Sequence, residues 1–209
     1  GRYPVIFEAP VATSLISALV SAVSGGNLFR ETSFLLNSLG SKVASSALSI
    51  KEDPFQLGAH ASTSFDDDGV KVEPRVVLDK GNLQGYFLST YSAKRLGMDT
   101  TGNAGGAHNL IISSTVENLD KLIAQMDTGL IVTELLGHGL NMVTGDYSRG
   151  VAGLWVEKGL IKHAVEEITI AGNMKDMLNG IIGVGGDIYL NGSKYTGSVL
   201  IEDMTVASN

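Results

Sequence analysis

Hydrophobic and polar positions along the 209-residue chain switch repeatedly between short apolar runs and longer periodic ones, so the pattern predicts alternating strands and helices. Tyr3 to Phe7 reads as a strand. A helix follows from about Pro10 to Ser24, with proline in its first turn and Gly25-Gly26 as the stop. Ser14, Ser17, Ser21 and Ser24 form a narrow polar stripe on it, and Val11, Leu15, Ile16, Leu19, Val20 and Val23 cover the rest. That composition describes a buried helix whose serines meet solvent or a closely packed neighbour. Phe34 to Leu39 suggests a short helix, and Gly40 to Ile50 a turn and strand. Val70 to Leu78 and Leu83 to Tyr91 alternate as a hairpin across Asp79-Lys80-Gly81-Asn82, with Pro74 placing the first arm at an edge or bulge.

Further along, Ser92 to Leu96 is a helical turn capped by Gly97, and Thr100 to His108 a glycine-bearing loop. A strand at Leu110 to Ser113, a helix at Val116 to Met126 and a strand at Leu130 to Leu135 follow. Val151 to Val165 reads as a hairpin turning over Lys158-Gly159, a helix opens at Asn173, and strands near Asp187 to Leu190 and Ser198 to Val206 complete the series. No repeat of fixed period is present. The class is α+β.

Composition and charge sharpen this picture. A hydrophobic content of 44%, a charged content of 18%, 26 glycines and four prolines describe a compact chain rich in turns. Length and composition predict one domain spanning residues 1–209. A net charge of −7 argues against nucleic acid as a direct ligand, since phosphate binding needs clustered Lys and Arg. Without cysteine there is no disulfide or thiolate chemistry, which fits a reducing compartment. The apolar stretch Val5 to Val23 contains Glu8, Pro10 and serines and has no cationic segment before it, so neither a signal peptide nor a membrane span is predicted. A cytoplasmic location is expected.

The segment TELLGHGLNMVTGDYSRGVAGLWVEKGLIKHAVEEITIAG, from Thr133 to Gly172, interrupts apolar runs with Gly137, Gly139, Gly145, Gly150 and Gly153. Strand interiors disfavour glycine, so these positions predict bulges, tight bends or close backbone approach. Together with FLLNSLGSKV at Phe34 to Val43, ASTSFDDDGV at Ala61 to Val70, TYSAKRLGMDTTGNAGGAHN at Thr90 to Asn109 and GSVLIEDM at Gly197 to Met204, the segment resembles the TldD/PmbA family. These are modulators of DNA gyrase, or TldD/TldE metalloproteases, and the likeness is closest to the PmbA (TldE) branch. The resemblance, with the glycines, implies a curved, barrel-like mixed β-sheet with flanking helices. The resemblance implies a further N-terminal domain of similar length in family members, so residues 1–209 are expected to be the C-terminal domain, with the N-terminal one outside this sequence. The gyrase label, given the acidic charge, is read as an indirect effect.

In the catalytic TldD subunit the resemblance places an HExxxH motif at a strand-to-helix junction, with a cysteine further along as another zinc ligand. The matching junction here is Phe7-Glu8-Ala9-Pro10-Val11-Ala12. Phe7 and Ala12 fill the histidine slots with carbon, and Glu8 alone survives. The resemblance therefore implies a non-catalytic subunit with no metal or other cofactor, whose TldD-like partner holds the zinc and which acts on peptide substrates. In isolation the domain is free to pair with a copy of itself. The alternative is an active metallopeptidase with a non-standard or partner-completed metal site.

Other motifs give less. His60, His108, His138 and His163 stand far apart in sequence, and only folding could unite His108 with His138 in a metal site. Asp66-Asp67-Asp68-Gly69 fails as a calcium loop, because Arg75 stands where a bidentate Glu is required, and it reads as a solvated turn. Ser148 lies in a motif one residue too long for a nucleophile elbow. No dinucleotide fingerprint or P-loop occurs. Thr144, Asp146, Tyr147, Ser148 and Arg149 read as a loop with two roles: Asp146 capping backbone N–H groups while Arg149 pairs with a carboxylate, or an interface with the catalytic partner. His138 and His108 join them as binding candidates.

Overall fold

The computed structural model describes residues 1–208. Its centre is a closed five-stranded barrel. Strand β1 (Arg2–Phe7) runs parallel to β6 (Gly129–Leu136), and β6, β7 (Asp146–Glu157), β8 (Leu160–Asn173) and β11 (Val199–Ser208) then pair antiparallel in turn. β11 returns to β1, with Ile6 opposite Leu200 and Phe7 opposite Val199, and closes the ring. β9 (Ile181–Val184) adds to β11 beside the stretch that β8 leaves free. A second sheet has the order β10 (Lys194–Tyr195), β5 (Asn109–Ile112), β2 (Ile50–Asp53), β3 (Arg75–Asp79) and β4 (Asn82–Leu83). One hydrophobic cluster runs through both sheets, from Val5 and Phe7 through Ile16 and Leu48 to Leu110 and Ile201. This is the curved mixed sheet of an α+β fold.

Helix α1 (Ala9–Ala22) buries Ala12, Leu15, Ile16, Leu19 and Ala22 on one face, and Pro10 sits in its first turn. Its serines are half-buried, and Ser14 and Ser17 donate back to the carbonyls of Val11 and Thr13 at 2.7 and 2.8 Å. Gly25 and Gly26 do not simply stop this helix: they open the short α2 (Gly25–Phe29). α3 (Thr90–Leu96) is capped by Ser89 at its start and by left-handed Gly97 at its end. α4 (Leu119–Met126) starts three residues later than the pattern suggests, because Asn118 is its N-cap, and α5 (Met174–Asn179) opens after Asn173 as expected.

Several expectations are corrected. Phe34 to Leu39 is a turn, with Asn37 at φ 55° and the Phe34 N–H donating to Met142 O at 2.8 Å. Gly40 to Ser49 forms no strand, and its amides at Val43 and Ala44 use the Gly81 carbonyl. The hairpin across Lys80-Gly81 is real but short, since after Leu83 the chain leaves it and Phe87 bonds the end of α1 instead. Asp187 to Leu190 is not a strand. Asp187 is drawn aside to accept from the Ser198 hydroxyl at 2.6 Å, and Ile181–Val184 takes the place in the sheet. Thr144 to Gly150 is not one loop, because β7 already begins at Asp146.

Glycine placement explains the curvature. A Cβ on Gly153 would lie 1.9 Å from the Ile131 carbonyl, where the β6–β7 register shifts, and one on Gly139 would lie 1.8 Å from Ser148 O. At both points one backbone crosses directly over another.

Candidate functional site

The strand-to-helix junction is set by parallel pairing. Phe7 lies opposite Val132, and the Glu8 N–H donates to Val132 O at 3.1 Å. The Glu8 carbonyl then accepts from Val11 and Ala12 at 2.8 Å each, which starts α1. Phe7 and Ala12 are both 0% exposed and belong to the main core. Glu8 is half-buried, and its side chain does not cap the helix. At the positions that the resemblance aligns with HExxxH stand one carboxylate and two buried hydrocarbon side chains, a donor set that does not fit zinc. Past Val132, β6 runs on for four residues, Thr133 to Leu136, whose side away from β7 pairs with no strand among the described residues.

Asp146, Tyr147, Ser148 and Arg149 occupy the first turns of the pleat in β7, with Leu140 bridged to Tyr147 on one side and Gly172 opposite it on the other. Asp146 does not cap backbone amides. It accepts from the Thr144 hydroxyl at 2.7 Å and from Asn173 at 3.2 Å, and these bonds, Thr144 first, hold its carboxyl below the usual range. Arg149 pairs with no carboxylate either, for its guanidinium donates from Nε to Gly137 O at 2.9 Å and from Nη2 to the same oxygen. Tyr147 is buried, and burial raises its hydroxyl pKa. Arg149 lies near enough to counter part of that shift without reaching hydrogen-bond geometry, so the hydroxyl has no partner. Ser148 is exposed beside His138 on a hollow of about 580 Å³ that Leu140, Asn141, Asp146 and Tyr147 also line.

The histidines enter different surroundings. His60 and His163 are exposed, His138 sits on that hollow, and His108 is buried against Glu52. Among the described residues no three His, Asp or Glu side chains come together as a metal-binding group.

Sequence reading missed a cluster around Glu52, which is 1% exposed. Its Oε1 accepts from Asn103 at 2.8 Å and from His108, and its Oε2 accepts from Arg75 Nε at 2.6 Å. Arg75 also donates to Tyr86 O and Asn103 Oδ1, and its guanidinium lies 4.9 Å from the Phe87 ring. Every member is bonded, so the cluster ties the loop before β5 to β2 and β3. Asp66 works similarly: it is buried, and accepts from the amides of Asp68, Val70 and Ala104, so this turn is a fastening and not merely solvated.

Comparison with known proteins agrees with this geometry. Residues 1–208 match the model of the PmbA/TldA metallopeptidase C-terminal domain. Metalloprotease PmbA of Escherichia coli O157:H7 is 47% identical over 206 residues, covering 99% of this chain and 46% of that protein. The structure of a proposed modulator of DNA gyrase from Bacteroides thetaiotaomicron superposes with a TM-score of 0.95 at 34% identity, over 100% of this chain and 47% of the other. TldE from Thermococcus kodakarensis gives 0.86 at 27% identity, over 99% and 50%. The chain thus spans about half the length of the relatives it matches. No helix among the described residues is long and apolar enough to cross a membrane. By its whole-length match and by the barrel it forms, the chain belongs to the PmbA/TldA metallopeptidase C-terminal domain family.

Proposed function

We propose that this domain serves a peptide-cleaving complex as its non-catalytic, PmbA (TldE)-type half, shaping the cavity of a zinc-bearing TldD-like partner in the cytoplasm. The observation that carries the reading is the pair Phe7 and Ala12, both fully buried where the family's catalytic branch has histidines. A general base such as Glu8 acts on water only when the proton it takes is already acidified, which zinc does in the partner. Here Glu8 has a carbon surface on either side.

What the domain contributes is shape. The run Thr133 to Leu136 of β6, paired with β7 on one side and with no strand among the described residues on the other, lies next to the junction and offers that open side to an extended peptide, which would join as an added strand. Asp146, Ser148 and His138 stand exposed on the neighbouring hollow, as interface positions for the partner. Because backbone groups recognise any sequence, this mode suits unfolded segments over one defined substrate.

A second reading draws support from the name metalloprotease PmbA carried by the Escherichia coli relative: an active enzyme whose metal site the partner completes. Elemental analysis after dialysis, followed by peptidase assays of each subunit alone and of both together, separates the two. The expected result is no stoichiometric zinc in this chain, no activity alone, and activity on mixing that follows the partner's zinc. One firmly held zinc per chain of this protein would overturn the proposal.

A further inference from the structure

The chain holds two Asn-Gly pairs, Asn179-Gly180 and Asn191-Gly192, and the fold treats them oppositely. A glycine after asparagine has no Cβ to crowd the approach of its own backbone nitrogen to the asparagine carboxamide carbon, Cγ. Bond formation there closes a five-membered ring. Whether the ring closes depends on whether the backbone lets the two atoms meet.

At the first pair they are kept apart. Asn179 is the last residue of α5, and its Nδ2 donates back to Lys175 O at 2.9 Å. The Gly180 N–H donates to Asp176 O at 2.7 Å, so the nitrogen is turned along the helix onto a carbonyl and away from the preceding side chain.

The second pair is free of both restraints. It lies at the tip of the turn that leads from Tyr189, bridged to Thr196, into β10. Asn191 is exposed and belongs to no helix or strand, and its Nδ2 is bonded only to the Tyr189 hydroxyl, at 3.2 Å. The Gly192 N–H donates to no carbonyl among the described residues. Gly192 has φ 110°, and a Cβ built on it would meet nothing within 4 Å, so the space around the tip is open. The next anchor comes one residue later, where Ser193 O accepts from the Leu110 N–H at 2.8 Å.

We propose that Asn191 is a self-modification site, at which the folded chain deamidates without an enzyme while Asn179 is protected. The Gly192 nitrogen gives its proton to solvent base and bonds to Asn191 Cγ. The bond from Cγ to Nδ2 breaks, and Nδ2 takes up a proton and leaves as ammonia. Water then opens the cyclic imide at one of its two carbonyls: attack at Cγ gives aspartate, and attack at the main-chain carbonyl of Asn191 gives isoaspartate. One water is consumed, one ammonia is released, and nothing is oxidised or reduced. Either product sets a carboxylate directly after Leu190, which is 71% exposed, and isoaspartate also lengthens the main chain by a methylene at the entry to β10. This inference is independent of the catalytic reading, since neither Glu8 nor the β6 edge takes part.

Ageing the purified chain in mildly alkaline buffer, followed by brief digestion and mass spectrometry, tests it. Trypsin releases both asparagines in one peptide, Asp176 to Lys194, so its fragment ions report the two sites side by side. In the folded chain Asn191 should convert faster than Asn179 on the order of tenfold or more. In urea, with α5 melted, the two should convert at similar rates, which assigns the difference to the fold. Conversion at Asn191 should quicken as pH rises, because the attacking nitrogen must first lose its proton. An isoaspartate-specific methyltransferase should mark the aged peptide, and Asn191→Gln, whose ring would need six members, should remove that mark without altering melting. Equal conversion of both sites in the folded chain overturns the proposal, as does an Asn191 that stays intact while the chain in urea reacts, a rate that does not rise with pH, or a mark that survives in Asn191→Gln.

Discussion

His108 and Glu52 are joined twice through a single oxygen: the His108 backbone N–H donates to Glu52 Oε1 at 2.8 Å, and its ring Nδ1–H donates to the same atom at 2.9 Å. With Arg75 on the other carboxylate oxygen, one buried side chain holds three segments of chain. Removing it strands the others. Glu52→Ala should cost about 3 kcal/mol, since it leaves the half-buried Arg75 guanidinium and the buried donors of Asn103 and His108 without their acceptor. Urea unfolding of the variant checks this, and a loss within experimental error would mean that the cluster relaxes freely.

The glycines of β7 should separate sharply. Gly153→Ala drives a methyl group into the Ile131 carbonyl, so the β6–β7 pairing must open, and a loss above about 2 kcal/mol is expected. Gly150→Ala meets only Leu136 at 3.5 Å, ordinary contact, and should change stability little. Thermal unfolding of both variants under one condition gives the comparison.

For Arg149 the geometry points inward, to the Gly137 carbonyl of its own domain. Arg149→Ala should therefore lower the melting temperature, by about 1–2 kcal/mol in stability terms, and alter partner affinity only secondarily. Unchanged melting with lost association would reverse that order and make Arg149 an interface anchor.

Asp146 gives a pH signature. Its carboxyl is held below the ordinary range by Thr144 and then Asn173, so its contribution to stability is complete above the unfolded value and disappears as pH falls through the folded one. Thr144→Ala should move the titration of Asp146 upward, toward an ordinary aspartate, when followed by NMR of the carboxyl carbon. No movement would show that the hydroxyl does not set it.

On the proposed function, Glu8→Gln should leave the activity of the complex with a TldD-like partner nearly unchanged, whereas the same change in the glutamate of that partner's HExxxH should abolish it. A loss of orders of magnitude at Glu8, with folding and assembly intact, would mean that this carboxylate still does chemistry.

Local signals were sufficient for much of this fold. Pro10 and the apolar spacing locate α1, Lys158-Gly159 locates its hairpin, and Asn173 and Gly97 mark helix ends. What failed depended on distant partners. Asp187 to Leu190 and Ile181 to Val184 are similar apolar runs, and the choice between them is made by Ser198 and Val199, residues in another part of the chain. Asp146 to Gly150 reads as a loop until Gly172 and Leu140 are brought alongside. The Glu52 cluster left one faint trace: in Ile50-Lys51-Glu52 strand alternation puts the carboxylate on the same side as a buried isoleucine. At the junction the resemblance singles out Phe7 and Ala12 in the sequence, but only the barrel shows that both are wholly enclosed.

The pairing of β1 with β11 also sets the order in which the molecule can be made. Arg2 lies opposite Thr205, so the ring closes between strands about 200 residues apart, and contacts of that span slow folding. On a ribosome β1 emerges first and waits with one edge bare until β11 appears. During that interval any stray strand can take its place, which makes the last ten residues of the barrel the step on which productive folding turns.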